Sequence, residues 1–124
     1  MAKKKILVAD DDKQCLILLH QLLQDAGYEV DDASGGSEVL RRLSQGSYDL
    51  LLLDFDMRDI KGDRLSLMLR MDKQYETLPI LMVTGHAEKS EHVFKEYGAT
   101  DVIYKPFENR EFLSKVHLLL GEEL

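Results

Sequence analysis

Short apolar runs alternate with amphipathic stretches along the chain. Ile6-Leu7-Val8-Ala9 reads as a buried strand. From Lys13 to Ala26 the spacing places Leu16, Leu19, Leu23 and Ala26 on one helical face, and Gly27 is a natural stop. Tyr28 to Ala33 is a second, weaker strand. Ser34-Gly35-Gly36-Ser37 forms a turn able to cap a helix that carries Val39, Leu40 and Leu43. Asp49 leads into Leu50-Leu51-Leu52-Leu53 and then Asp54. Four leucines hedged by acids suit a central strand covered on both faces. Gly62 opens a helix with Leu65, Met68 and Leu69 turned inward. Ile80-Leu81-Met82-Val83, introduced by Pro79, is a fourth strand. Glu88 to Tyr97 predicts a short helix ending at Gly98, Asp101 to Tyr104 a fifth strand, and Phe112, Leu113, Val116, Leu119 and Leu120 the stripe of a last helix that Gly121 ends. Strands alternating with helices imply an α/β domain, a parallel sheet with helices on both faces. No long linker, repeat or low-complexity segment interrupts the series.

Composition narrows the class. One domain accounts for 124 residues, 44% hydrophobic and 31% charged. A net charge of -7 makes nucleic acid a poor direct partner, and only Lys3, Lys4 and Lys5 form a basic cluster. Cys15 is the single cysteine, so no disulfide forms within the chain and a reducing, cytoplasmic setting is expected. No signal peptide is legible, and no stretch approaches the roughly 20 apolar residues of a membrane span.

In a doubly wound sheet the working crevice lies at the carboxyl ends of the strands. After the first apolar run come Asp10, Asp11 and Asp12; after the third, Asp54 and Asp56; after the fourth, Thr84; after the fifth, Lys105 followed by Pro106 and Phe107. Crowded carboxylates repel unless a cation intervenes, and Mg²⁺, which takes one or two carboxylates and leaves room for phosphate oxygens, is the natural one. Lys105 adds a point charge for a phosphate and Thr84 a hydroxyl. The set describes phosphoryl transfer to a carboxylate. Singly, each residue has a plainer role: Asp12 a helix cap, Thr84 packing, Lys105 a solvated charge. Their coincidence at four strand ends favours a site. His20, His86, His92 and His117 lack metal-cluster spacing. Three fall in helical segments and read as solvated, while His86 borders the crevice. The methionines fall mainly in or beside apolar runs and read as core filler, and nothing marks Cys15 as a nucleophile.

In this order and spacing, Ile6 to Asp12, Asp49 to Asp54, Gly62, Val83-Thr84-Gly85 and Lys105-Pro106-Phe107 make the sequence resemble the receiver domain of bacterial response regulators, chemotaxis regulators among them. The resemblance runs from Lys4 to about Leu120, with the domain taken as 1–124. It implies a flavodoxin-like five-stranded sheet of order 2-1-3-4-5. It implies Asp54 as phosphoacceptor, Mg²⁺ held by Asp11 and Asp54, by Asp10 mainly through water, and by the backbone carbonyl of Asp56. Thr84 and Lys105 engage the phosphoryl group, with a cis Lys105–Pro106 bond. The implied donor is a sensor histidine kinase or a histidine phosphotransfer protein. Such a domain is no enzyme beyond its own phosphorylation and dephosphorylation. Dimer or effector contacts would use the fourth helix, fifth strand and fifth helix. From the charge and the absence of a long apolar span, no direct nucleic-acid or membrane contact is expected of this domain.

Three departures stand out. Arg58 stands where proline is frequent, and Val102 where an aromatic ring is frequent. Asp56 and His86 fall at variable positions that tune phosphoryl lifetime. Strand alternation puts Tyr104 on the face of Val102, about 6–7 Å along. Tyr104 is therefore a switch candidate; a smaller helix shift and plain packing on the last helix are the alternatives. A haloacid-dehalogenase-like phosphatase would also show Asp-Phe-Asp after a strand, at Asp54 to Asp56, but its closing acidic pair follows the lysine, whereas Asp10 and Asp11 come first. A receiver-like module that no longer takes phosphate is the other reading. No effector domain follows within these residues, so the chain reads as a stand-alone receiver or a piece of a longer regulator.

Overall fold

The computed structural model describes residues 2–122. Five parallel strands lie in the order β2-β1-β3-β4-β5, the order the resemblance implies. They are β1 (Lys5–Ala9), β2 (Glu29–Ala33), β3 (Leu50–Asp54), β4 (Ile80–Thr84) and β5 (Asp101–Tyr104). The helices between and after them are α1 (Lys13–Asp25), α2 (Gly36–Gln45), α3 (Gly62–Arg70), α4 (Glu91–Glu96) and α5 (Asn109–Leu119).

The leucine run explains why β3 is central. Its side chains alternate, so Leu51 and Leu53 join a core with α2, α3 and α4, while Leu50 and Leu52 join a second core with α1 and α5. All four are at most 1% exposed, as a strand covered on both faces requires. In α1, Leu16, Leu19 and Leu23 are buried, and Asp12 is the cap, its carboxylate accepting from the Gln14 amide at 3.0 Å. Gly27, at φ +100°, ends that helix and turns the chain into β2.

Two helical expectations shift. In α3 the buried stripe is Gly62, Leu65, Ser66 and Leu69, spaced i, i+3, i+4 and i+7. Met68 lies off that stripe and is 43% exposed; Met71 is more exposed still, whereas Met57 and Met82 are fully buried. The predicted helix over 88–97 is regular only from Glu91 to Glu96. Residues 85–89 instead turn, with Ala87 N–H donating to the Gly85 carbonyl at 3.1 Å and Lys89 N–H to the His86 carbonyl at 3.0 Å.

Candidate functional site

The parallel sheet brings the ends of β1 and β3 side by side, with Ala9 paired to Leu53. The next residues, Asp10 and Asp54, therefore share one crevice. Carboxylate oxygens of Asp10, Asp11 and Asp54 lie within 4.8 Å of one another. Asp10 and Asp54 are 2% and 6% exposed, far below what a charged side chain ordinarily tolerates without a partner. The crevice offers only part of that partner. Lys105 Nζ donates to Asp54 Oδ1 at 3.2 Å and stands 3.8 Å from Asp10 Oδ2. Asp10 Oδ1 accepts from the Asp12 amide at 2.9 Å, but Asp10 Oδ2, buried, accepts no hydrogen bond.

The electrostatics follow. Burial first, then the neighbouring Asp10 charge, push the Asp54 carboxyl above the usual range, with Lys105 opposing. Burial likewise raises Asp10, although the Asp12 amide and Lys105 pull the other way. Burial works against the Lys105 ammonium, yet Asp54 and Asp10 outweigh it and hold it above the ordinary lysine value. Asp11 takes its place from the other side: its carboxylate accepts from the Arg58 amide at 3.0 Å, with the Arg58 guanidinium 3.7 Å away. Three converging carboxylates, one with an orphaned buried oxygen, are the donor set of a hard divalent cation, and the residues fit Mg²⁺. Gly62 makes the approach possible. Its amide donates to the Phe55 carbonyl at 2.9 Å, and a Cβ there would come within 2.6 Å of the Asp54 carbonyl oxygen. Thr84 is fully buried at the end of β4, and its hydroxyl oxygen accepts from the His86 amide at 3.0 Å. The Lys105–Pro106 peptide is cis.

A family model for the response regulator receiver domain matches residues 6–117. The chain belongs to this family. The phosphate regulon transcriptional regulatory protein PhoB of Rhizobium meliloti is 37% identical over 117 residues, covering 94% of this chain and 52% of that protein. The chain spans about half the length of the curated relatives it matches. The structure of the Vibrio cholerae chemotaxis protein CheY4 superposes with a TM-score of 0.88 at 32% identity, covering 95% of this chain and 99% of that one. A CheY-like receiver domain protein from Methanospirillum hungatei gives 0.88 at 32%, covering 97% and 95%. The protein is thus a receiver, a phosphoacceptor domain of two-component signalling. Receivers bind Mg²⁺ at an acidic pocket, and the family implies histidine kinases or phosphotransfer proteins as partners. Among the described residues no helix is long and apolar enough to cross a membrane.

At the rim of the pocket, Asp56 and His86 meet. His86 Nε2 lies 3.0 Å from both oxygens of Asp56, and Nδ1 lies 2.8 Å from Glu88 Oε1. Lys61 Nζ is 3.6 Å from Asp56 Oδ1. The Glu88 and Asp56 bonds raise the His86 pKa, favouring the imidazolium. The helical histidines are less free than their positions suggest. His92 is exposed, but His20 Nδ1 pairs with Asp32 at 2.9 Å, and His117 bonds to Tyr28 and Glu122. Burial and then the Asp10 charge raise the Cys15 thiol pKa, which disfavours the thiolate.

Val102 is buried beneath α4, and Tyr104 shares its face of the sheet. Tyr104 does not pack on the last helix, which sits on the opposite side. Its ring lies 6.5 Å from Phe94 of α4, and its hydroxyl donates to the Lys89 carbonyl at 2.7 Å. Phe94 in turn packs edge-on against Phe55, 5.4 Å away, and Phe55 against His86, 5.1 Å away. Sequence reading missed Phe55, Glu88, Lys89 and Asp59. Asp59 accepts from the amides of Gly36 and Ser37, supplying the α2 cap that the Ser34–Ser37 turn leaves open, since Gly35 offers no side chain. A cap that arrives from more than twenty residues downstream leaves no local signature.

Proposed function

We propose that Asp54 is the residue phosphorylated, and that Asp10, Asp11, Asp54 and the Asp56 backbone carbonyl hold Mg²⁺ beside it. The convergence of three carboxylates with Lys105 and an unpartnered Asp10 Oδ2 carries this reading. A carboxylate oxygen of Asp54 attacks the phosphorus of a phosphohistidine on a sensor kinase or phosphotransfer protein; the new O–P bond forms as the P–N bond breaks and the imidazole leaves. Lys105, already on Asp54, turns to the incoming phosphoryl oxygens, and Thr84, still free to donate its hydroxyl hydrogen, engages another. Mg²⁺, when bound, offsets the negative charge of carboxylates and phosphoryl oxygens together. The chain catalyses only its own phosphorylation and hydrolysis. The receiver extends over 1–124, works in the cytoplasm, and passes its signal through α4, β5 and α5 to a partner, a second copy or an output domain.

With Mg²⁺ and a small acyl phosphate or phosphoramidate, mass spectrometry should find one added phosphoryl group in the parent chain and none in Asp54→Asn. Equal labelling of that variant defeats the assignment.

A further inference from the structure

We propose that Asp59 is a positioning residue of the phosphorylation site. Its carboxylate clamps the β3–α3 loop to the N-terminus of α2, and so fixes the stretch that carries Asp56 beside the carboxylate pocket. The inference rests on the reading of that pocket as an Mg²⁺ site.

The clamp has three bonds. Asp59 Oδ1 accepts from the Gly36 amide at 2.9 Å and from the Ile60 amide at 2.8 Å, and Oδ2 accepts from the Ser37 amide at 2.9 Å. Two of these donors are the first amides of α2, which have no partner within their own helix. A carboxylate at a helix N-terminus is held there by charge-assisted bonds and by the helix dipole. The exposed Asp59 carboxyl is accordingly held down at about 2 by the Ser37, Gly36 and Ile60 amides.

Contact reinforces the bonds. A Cβ on Gly36 would fall 2.8 Å from Ile60 Cβ, and one on Gly35 2.9 Å from Asp59 Oδ1. The loop thus lies directly on the helix end, and a side chain at position 36 would collide with Ile60.

What turns a cap into a site component is the neighbouring residue. Arg58, one step before Asp59, donates its amide to Asp11 Oδ2. Met57, one step further back, is fully buried. The loop is therefore fastened to α2 at Asp59 and to the acidic pocket at Arg58, with Asp56 just upstream. A proline at position 58 would fix φ by its ring; arginine does not, so the order of this loop depends on its tertiary ties.

The test compares the parent with Asp59→Ala, Asp59→Asn, Gly36→Ala and Val39→Ala, all as the full chain. Val39 is buried in α2 and makes none of the three Asp59 bonds, so its truncation destabilises the helix without removing a bond of the clamp. In Mg²⁺-free buffer, amide hydrogen exchange at 57–58 should accelerate about tenfold in Asp59→Ala and stay near parental in Val39→Ala. In calorimetric titration, the Mg²⁺ dissociation constant should rise about tenfold in Asp59→Ala and in Gly36→Ala. Asp59→Asn, which keeps one acceptor oxygen, should fall between, and Val39→Ala should bind as the parent does. Unchanged exchange in Asp59→Ala, or equal weakening in Val39→Ala, overturns the proposal. A parent chain that takes up no Mg²⁺ overturns the reading of the pocket and the loop's service to it, whereas the metal-free exchange decides the clamp independently.

Discussion

The two edges of the sheet carry similar chemistry in opposite states. At the carboxyl edge, Asp10, Asp11 and Asp54 crowd together, and a buried oxygen goes without a hydrogen bond. Toward the amino edge, Asp31, Asp49 and Glu122 are answered. Asp31 accepts from the Tyr48 hydroxyl at 2.6 Å and has Lys5 at 3.6 Å and Arg42 at 3.9 Å. Asp49 accepts from the Lys5 amide at 2.8 Å, and Glu122 from the Tyr28 hydroxyl at 2.6 Å. Arg70 donates to the carbonyls of Gly98 and Tyr75, each at 2.8 Å, and to Thr100 Oγ1 at 3.3 Å, tying together the entrances to β4 and β5. One edge is built for stability. The other holds back stabilisation that a cation and a phosphoryl group can supply. What sets the carboxyl edge apart is a lack of partners for its carboxylates rather than their number.

Arg70→Ala should break that comparison most. Removing three donors, two of them in part-buried bonds, leaves two carbonyls to find water, and the loss should be about 2–4 kcal/mol in urea unfolding. Asp54 labelling per folded molecule should be unaffected, because Arg70 touches nothing in the pocket.

Charge removal should act with opposite signs at the two edges. Asp31→Asn should destabilise the metal-free chain, and Asp54→Asn should stabilise it, each on the order of 1 kcal/mol. The pH dependence has the same origin. Asp10 and Asp54 are raised in the folded state, so the stability they give is present below the ordinary carboxylate pKa and is lost as pH rises through their folded values. Asp31 is lowered, chiefly by Tyr48, and Asp59 to about 2, so their contribution is present above the ordinary value and is lost as pH falls through the folded one. With chelator present, thermal midpoints should rise as pH falls from 7 toward the carboxylate range, then drop below about 4. The first rise should shrink in Asp54→Asn, and Mg²⁺ should flatten it in the parent. Midpoints that respond identically in the two chains would show that the Asp54 charge is not a cost.

Periodicity made the fold legible because each element carries its own pattern. The leucines of β3, the α1 stripe and the acids at strand ends are local signals, and each of those elements lies where its pattern put it. Met68 misled because an apolar residue beside a helical stripe looks like part of it until Gly62 fixes the rotation of α3 against Asp54. The start of α4 misled because His86, Glu88 and Lys89 are drawn into a turn and bonds to Asp56 and Tyr104, contacts that span tens of residues. The main pocket residues were readable for the same reason that the strands were: the fold puts strand ends together. Asp59 reaches its α2 partners only in three dimensions, and Glu88, though two residues from His86, meets it only because the chain turns there instead of continuing as helix.

Tyr104 sharpens the comparison from within the carboxyl edge, because it is a satisfied group next to an unsatisfied pocket. Its hydroxyl holds the Lys89 carbonyl, its ring touches Phe94, and Lys89 Nζ sits 5.3 Å over the ring of Phe55, the residue after Asp54. The ring of Tyr104 thus supports α4, while its hydroxyl fastens the β4–α4 loop that carries His86. Tyr104→Phe separates the two roles. It keeps the Phe94 contact and deletes one hydrogen bond, whose carbonyl partner can turn to water, so stability should fall by only about 0.5–1 kcal/mol. The loop should respond more than the domain does: amide exchange over 86–90 should quicken, and exchange in α4 should not. Tyr104→Ala should additionally loosen Phe94 and quicken α4. In nuclear magnetic resonance spectra with Mg²⁺ and beryllofluoride, Phe should retain the α4 shifts of the parent and Ala should lose them. If Phe leaves loop exchange at the parental rate, the hydroxyl is not what holds the loop. If Ala keeps the α4 shifts, the ring is not the element that answers phosphorylation, and a smaller movement of α4 beside Val102 takes its place.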